Sequence, residues 1–395
     1  MNKIRQLKKR GSAIPLVMLI VVILLAMGTG LLRLGLGSRV ISIRTASNIT
    51  AQCAADAGLT KALFEMNEKL KVETWDGSTL PLGTEVSLPN CDAVFSYTVT
   101  GDLGSGYTIQ STGNSNQAQR TVSCTLQLQG PFEAAIFTKQ YLYMKNGGTV
   151  DWYNFDADDG NLQIGTNSAE PDSVVLHNSA IVNGDIGVGM GGDLDDVIVD
   201  NGATITGETF NLTQIYELPP VTVPESLESS PSLGTINDNT TISSSARYNS
   251  IDLGNSETVI ISGDITLYIT GDITLGNSAE LQIEEGASLT LYLGGDFEGQ
   301  NSSLVNNETQ DPQKLKIYGL DSCETIQFKN SADLYGAIYA PNADVIMHNS
   351  GTVYGAVVAK TFDMKNSGVF MYDASLRDVS INDEAVYFKI TNWHE

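Results

Sequence analysis

Asp193, Asp195 and Asp196, within Gly191-Gly192-Asp193-Leu194-Asp195-Asp196, come nearest to a catalytic grouping in this 395-residue chain. Two carboxylates facing one groove can cleave a glycosidic bond, one as acid and the other as base or nucleophile. No histidine or arginine motif accompanies these three, so they read as a solvated acidic turn, with a hydrolase as the competing reading. A polysaccharide lyase needs a base to take a proton, and this half of the chain is poor in Lys and Arg. Asp156, Asp158 and Asp159 cluster oxygens at a spacing that invites calcium. The glycine that follows comes one place early for an EF-hand loop, which leaves a weak metal candidate. His177 and His348 occupy the same place in two repeats where other copies carry Lys or Asp, and exposure at a turn accounts for them. Cys53, Cys91, Cys124 and Cys323 lack CxxC spacing and a paired histidine, which argues against zinc. In an exported chain a Cys91–Cys124 disulfide would bracket one small β-rich segment, although four cysteines allow three connectivities. Neither a nucleophile triad nor a phosphate-cradling glycine loop can be assembled. No catalytic residue, cofactor or firm metal site is expected, and the chain reads as non-enzymatic.

The elements that would position these residues are repetitive. From about Phe132 one pattern returns as Lys145-Asn146-Gly147, His177-Asn178-Ser179, Asp200-Asn201-Gly202, Lys329-Asn330-Ser331, His348-Asn349-Ser350 and Lys365-Asn366-Ser367, each followed by short Val/Ile/Leu/Tyr runs. Looser copies start at Asn255, Asn277 and Asn301. A period near 20 residues with this composition predicts a right-handed parallel β-helix over 131–377, each repeat stacking on the next. Asn146, Asn178, Asn201, Asn330, Asn349 and Asn366 are assigned a structural role: a left-handed corner and a hydrogen-bonded ladder between copies. The proline-rich stretch 216–247 is expected to be an extended loop between two blocks of repeats. Residues 378–395 hold one more strand-like run, read as a cap or tail.

Upstream the chain is organised differently. Ala93–Val99, Tyr107–Ser111 and Arg120–Gln129 alternate, with Gly/Asn turns between them, and predict an antiparallel meander within 76–130. Before it, Leu59, Leu63, Met66 and Leu70 form a helical stripe within an amphipathic helix over 37–75. Glu65 and Lys69 stand four apart in the favourable order. Between Gly11 and Leu32 no residue is charged, and a helix of about 20 such residues spans a hydrocarbon core of roughly 30 Å. A transmembrane helix is expected over 12–36, behind a basic leader, 1–11, that should stay cytoplasmic. Residues 1–44 hold eight basic residues and no acidic one, leaving 14 basic against 46 acidic, a net −32, in the remainder. Such an exterior argues against nucleic acid, which needs a basic footprint.

A removed secretory signal and an uncleaved anchor both compete for the apolar run. The Lys8-Lys9-Arg10-Gly11-Ser12-Ala13 junction points to a third possibility, because it resembles a type IV prepilin. With Ala54-Ala55-Asp56-Ala57-Gly58-Leu59 and Tyr107-Thr108-Ile109-Gln110-Ser111-Thr112-Gly113, residues 8 to about 128 resemble the PilX-type amino-terminal region of minor pilins. The resemblance implies cleavage by a prepilin peptidase between Gly11 and Ser12, inner-membrane insertion, and pilin partners along the helix. Leu16 departs from the glutamate that most major pilins carry at the fifth position after the cut, which implies a tip or accessory subunit. The expected protein is mainly β and single-pass, with most of its mass exported to the periplasm or cell surface. It would be a minor component of a bacterial type IV pilus or pseudopilus, adhesive toward a surface or glycan ligand, or priming assembly. A membrane-anchored envelope scaffold and a carbohydrate-active enzyme are the alternatives.

Overall fold

A computed structural model describes residues 13–71, 75–116, 118–154, 160–306, 308–329, 331–348, 350–381 and 383–394. The chain divides into two compact units. The first is built on one unbroken helix, α1 (Ile14–Leu70), of 57 residues. At 1.5 Å per residue it is about 85 Å long. Residues 13–46 are exposed throughout, and burial begins at Ser47. The buried stripe runs Ser47, Ala51, Ala54, Ala55, Gly58, Leu59, Ala62 and Met66. The expected leucine stripe is therefore rotated: Leu59 and Met66 are buried, whereas Leu63 and Leu70 are half-buried.

Small residues won this face because the helix lies close to its sheet. A Cβ on Gly58 would stand 2.3 Å from Ser111 Oγ, and one on Gly113 only 2.1 Å from the Ala51 carbonyl oxygen. The sheet is antiparallel and includes β1 (Leu82–Ser87), β2 (Val94–Asp102), β3 (Gly106–Ser115) and β4 (Ala118–Gln129). On β3 the buried residues shrink from Tyr107 and Ile109 to Ser111 and Gly113, with Ser115 beyond, which makes room for close approach toward the Ser47 end. Tyr97 donates to Glu65 Oε2 (2.7 Å) and Asn116 to Ser47 Oγ (3.2 Å), which tie helix to sheet by polar contacts at both ends. Glu65 also faces Lys61 at 3.9 Å, while Lys69 reaches Thr79.

The carboxyl-terminal run read as a cap or tail forms the fifth strand of this sheet. Tyr387–His394 follows β4 in the strand order. The Asn67 side chain secures it, accepting from Phe388 N at 2.7 Å and donating to Phe388 O at 3.3 Å. An amide can satisfy both backbone groups of one residue at a sheet edge, and hydropathy patterning gives no hint of that.

The second unit is dominated by a parallel sheet of 25 strands. Its registers place apolar residues in columns. One reads Ile236, Ile251, Ile273, Phe297, Ile326, Val345, Phe362, Leu142, Val174, Ile198. A second runs through Leu267, Leu291, Ile317, Ile338, Val357, Ile136, Ile164 and Ile186. A third passes Val259, Leu281, Val305, Leu334, Val353, Phe370, Val150 and Val182. Each column skips from residues in the 350s to 370s back to residues in the 130s to 150s. Two sequence blocks therefore join in the middle of the sheet, and the chain crosses between their far ends around residues 212–234.

That crossover is shorter than the proline-rich loop expected over 216–247. Strands Thr235–Ile236, Thr240–Ile242 and Ala246–Tyr248 already belong to the parallel sheet. The crossover is fastened at Asn167, whose amide donates to Tyr216 O (2.8 Å) and whose Oδ1 accepts from Tyr216 N (2.9 Å). The buried Tyr339 hydroxyl donates to Pro219 O at 2.7 Å.

Candidate functional site

Two features of the molecule bear on function: the exposed half of α1 and the outer surface of the parallel sheet. Ile14–Leu32 is uncharged, and its large side chains lie about half to three-quarters exposed, from Ile20 at 47% to Ile14 at 71%. The helix is long and apolar enough to cross a membrane. Leu16, at 64% exposure, stands on this surface, while Gly11 and Ser12 lie outside the described residues.

The asparagine repeat behaves differently from its sequence reading. Asn146, Asn178, Asn201 and Asn366 are exposed; Asn330 and Asn349 lie outside the described residues. The left-handed backbone falls on the residue after each asparagine: Gly147, Ser179, Gly202, Ser256, Ser278, Ser302, Ser331, Ser350 and Ser367 all have φ between +57° and +88°. Its amide then bonds across to the adjoining repeat, as Ser256 N does to Asn277 O (3.0 Å) and Ser367 N to Asn146 O (3.0 Å). The side-chain ladder forms among the looser copies, where Asn301 donates to Asn277 Oδ1 (3.3 Å) and Asn277 to Asn255 Oδ1 (3.2 Å).

Among the described residues the remaining candidates stand apart from one another or cap a turn. Asp193 caps the short helix Leu194–Val197, its carboxylate accepting from Asp195 N at 3.1 Å, and Asp195 and Asp196 are exposed. Asp156, Asp158 and Asp159 lie outside the described residues. Among the described residues no group of three His, Cys, Asp or Glu side chains could hold a metal ion. The Cys91–Cys124 bridge is not formed: Cys91 is an exposed thiol and Cys124 a buried one. Cys124 faces inward on β4 opposite Ile109 of β3, while Cys91 sits in the turn before β2, on the other side of β3. Crossing an intervening strand exceeds the reach of a disulfide. Burial pushes the Cys124 thiol up to about 11 and that of Cys323 to about 12, so both are protonated and unreactive at neutral pH.

A cavity of about 260 Å3 is lined by Phe132, Gln313, Lys316, Tyr318, Asp383 and Glu384, among others. Four of its polar side chains are engaged. Lys316 pairs with Asp383 (2.7 Å), Tyr292 donates to Glu384 Oε1 (2.7 Å), and Gln313 donates to Ser375 O (3.0 Å). Burial, then Asp383 and Glu384, hold the Tyr318 hydroxyl well above the ordinary tyrosine range. These contacts fasten Asp383 and Glu384 to the parallel sheet and Ser375 to the turn before Leu315.

Residues 222–379 match the model of a domain of unknown function (DUF7305). No curated protein matches the chain. Among solved structures, the competence-associated pilin ComZ from Thermus thermophilus is similar at 11% identity and a TM-score of 0.32, over 88% of this chain and 97% of that one. An ice-binding protein from the Antarctic ascomycete Antarctomyces psychrotrophicus is similar at 10% identity and a TM-score of 0.29, over 63% of this chain and 97% of that one. One from an Antarctic Flavobacteriaceae bacterium gives 9% and 0.23, over 60% and 79%. Superposition at these scores is too loose to transfer a residue or an activity.

Proposed function

We propose that this chain is a non-enzymatic, minor pilin-like protein of a bacterial type IV pilus or pseudopilus, anchored in the inner membrane through α1. The observation that carries this reading is a single helix with two different jobs. Residues 47–66 pack through small side chains against an antiparallel sheet, while Ile14–Leu32 offers an uncharged surface that no other described residue covers. At about 28 Å, that stretch matches a hydrocarbon core. Lipid covers it first, and the helices of neighbouring pilins would cover it after insertion into a filament. The basic residues before Gly11-Ser12 support cleavage by a prepilin peptidase, and Leu16 favours a tip or accessory position.

In the same reading the parallel sheet winds as a right-handed β-helix, exported and displayed. Strands pairing with the third strand onward, and three apolar columns in register, support this winding. Ten stacked positions at about 4.8 Å make a rod on the order of 45 Å. Electron micrographs should show it; a flat open sheet would refute the winding. Asp193 capping its own turn and the internally paired cavity support a binding role over an enzymatic one.

Mass spectrometry of the mature amino terminus tests the assignment. A chain beginning at Ser12, with Gly11→Leu retaining its leader in the inner membrane, is expected. A mature protein that keeps Lys3 would overturn it.

A further inference from the structure

In five of the repeats the residue that precedes the asparagine sits at an outward position, and the strand registers stack these five positions. Phe328 pairs with Met347, Met347 with Met364, Met364 with Met144, and Met144 with Leu176. The next residues along are therefore neighbours in the order Lys329, His348, Lys365, Lys145, His177. Backbone bonds from Lys365 N to Met347 O (2.7 Å), Lys145 N to Met364 O (2.8 Å) and His177 N to Met144 O (2.9 Å) confirm the register. All five side chains are half-buried and outward-facing. A row of five basic groups, one per strand, thus spans about 19 Å on a chain of net charge −24.

The charge along the row is uneven. Lys329 pairs with Glu298 and Lys365 with Asp363, and His348 bonds Gln327 at 2.6 Å. Among the described residues, the side chains of Lys145 and His177 have no such partner. On the strand that leads to Lys145 lie Tyr141 and Tyr143, with ring centroids 5.9 Å apart.

We propose that this row is a binding track for a linear polysaccharide with a carboxylate on each sugar, running along the stacking direction of the sheet. The spacing of adjacent strands, about 4.8 Å, is close to the length of one sugar in an extended chain, so successive carboxylates fall opposite successive positions of the row, where Lys145 is the unpaired ammonium among the described residues. Tyrosine faces beside the open end supply the apolar surface on which sugar rings stack. Away from the row the acidic remainder disfavours a polyanion and so limits where it can lie. A duplex nucleic acid, with a charge about every 1.7 Å, is too densely charged for one cation per strand and would be repelled by the rest of the body. The track is defined by strand register alone and stands whether or not the chain enters a filament.

The experiment measures binding of polygalacturonate oligomers to the detergent-solubilised full chain, with neutral dextran and polyphosphate as comparators. Polygalacturonate should bind, and binding should weaken as salt rises. Lys145→Gln/His177→Gln removes groups without partners and should cut affinity about tenfold. Lys139→Gln, outside the row, should leave it unchanged, and an undiminished protection of the Cys323 thiol checks folding. Absence of polygalacturonate binding, or equal binding by the double variant, would overturn the track. Equally tight, row-dependent binding of polyphosphate would overturn its assignment to a carboxylated glycan.

Discussion

Gly113→Ala is the sharpest test of how α1 and its sheet are held. The added methyl would lie 2.1 Å from the Ala51 carbonyl oxygen, 2.5 Å from Ala55 N and 2.9 Å from Ala54 Cβ. Two of these atoms are helix backbone, so no rotamer change relieves the clash and the helix itself must shift by about 1 Å. Overpacking of this kind costs about 1–3 kcal/mol, and the rigid neighbour places this site near the upper end. Gly58→Ala is the informative contrast. Its methyl meets Ser111 Oγ at 2.3 Å and Phe95 Cδ2 at 2.8 Å, both side-chain atoms, and alanine regains about 1 kcal/mol of helix propensity. Ser111 Oγ is buried without a hydrogen bond, so Ser111→Gly should rescue Gly58→Ala but not Gly113→Ala.

The assay is thiol labelling under native conditions. Cys124 is buried on this sheet, Cys53 and Cys91 are exposed, and Cys323, buried in the other unit, is an internal control. A loss of about 2 kcal/mol raises the population of open forms, and hence the Cys124 labelling rate, about thirtyfold, with Cys323 unchanged. Unchanged Cys124 protection in Gly113→Ala would refute the close-packing account.

Three further outcomes follow from the parallel sheet and its turns. Phe362 is fully buried and edge-on to Phe370 at 5.8 Å, so Phe362→Ala should cost about 3–5 kcal/mol, read as faster Cys323 labelling or a lower denaturation midpoint. Ser278 holds φ +57°, so Ser278→Val should destabilise by about 1–2 kcal/mol while Ser278→Gly is nearly neutral; equal effects would discount the left-handed turn. His348 is held below the ordinary histidine value of 6.5 by burial, then by Lys365 and Lys329, with Asp363 opposing. A folded-state value below the unfolded one means that protonation opposes folding. Its contribution is fully present above about pH 6.5 and is lost as pH falls below that, and His348→Gln should remove this part of the acid slope in denaturant titrations.

Local periodicity made much of the molecule legible from sequence. The uncharged run, the alternating strands of the first sheet and the Asn-Ser/Gly turns are short-range signals, each set by what neighbouring residues can bury or bend. The helix stripe was misplaced because leucines attract a hydropathy reading, whereas the packed face was chosen by size: Ala51, Ala54, Gly58 and Ala62 admit a backbone that leucine would hold off. The turn conformation was assigned to the asparagine when the following residue carries it, since both stand in the same dipeptide. His177 and His348 were matched to one place in the repeat and read as exposed turn residues, whereas both are half-buried, because the cover comes from neighbouring strands that the repeat alone does not reveal.

What sequence determined by itself is the inventory: one helix able to span a membrane, a small antiparallel sheet, and many short strands separated by repeated turns. Tertiary structure decided adjacency. The chain enters its parallel sheet in the middle, so Lys145 lands beside Lys365, and the last strand returns to β4. Such neighbours arise from hydrogen bonding between strands far apart in the chain, and no local period encodes which distant strand will supply the bond.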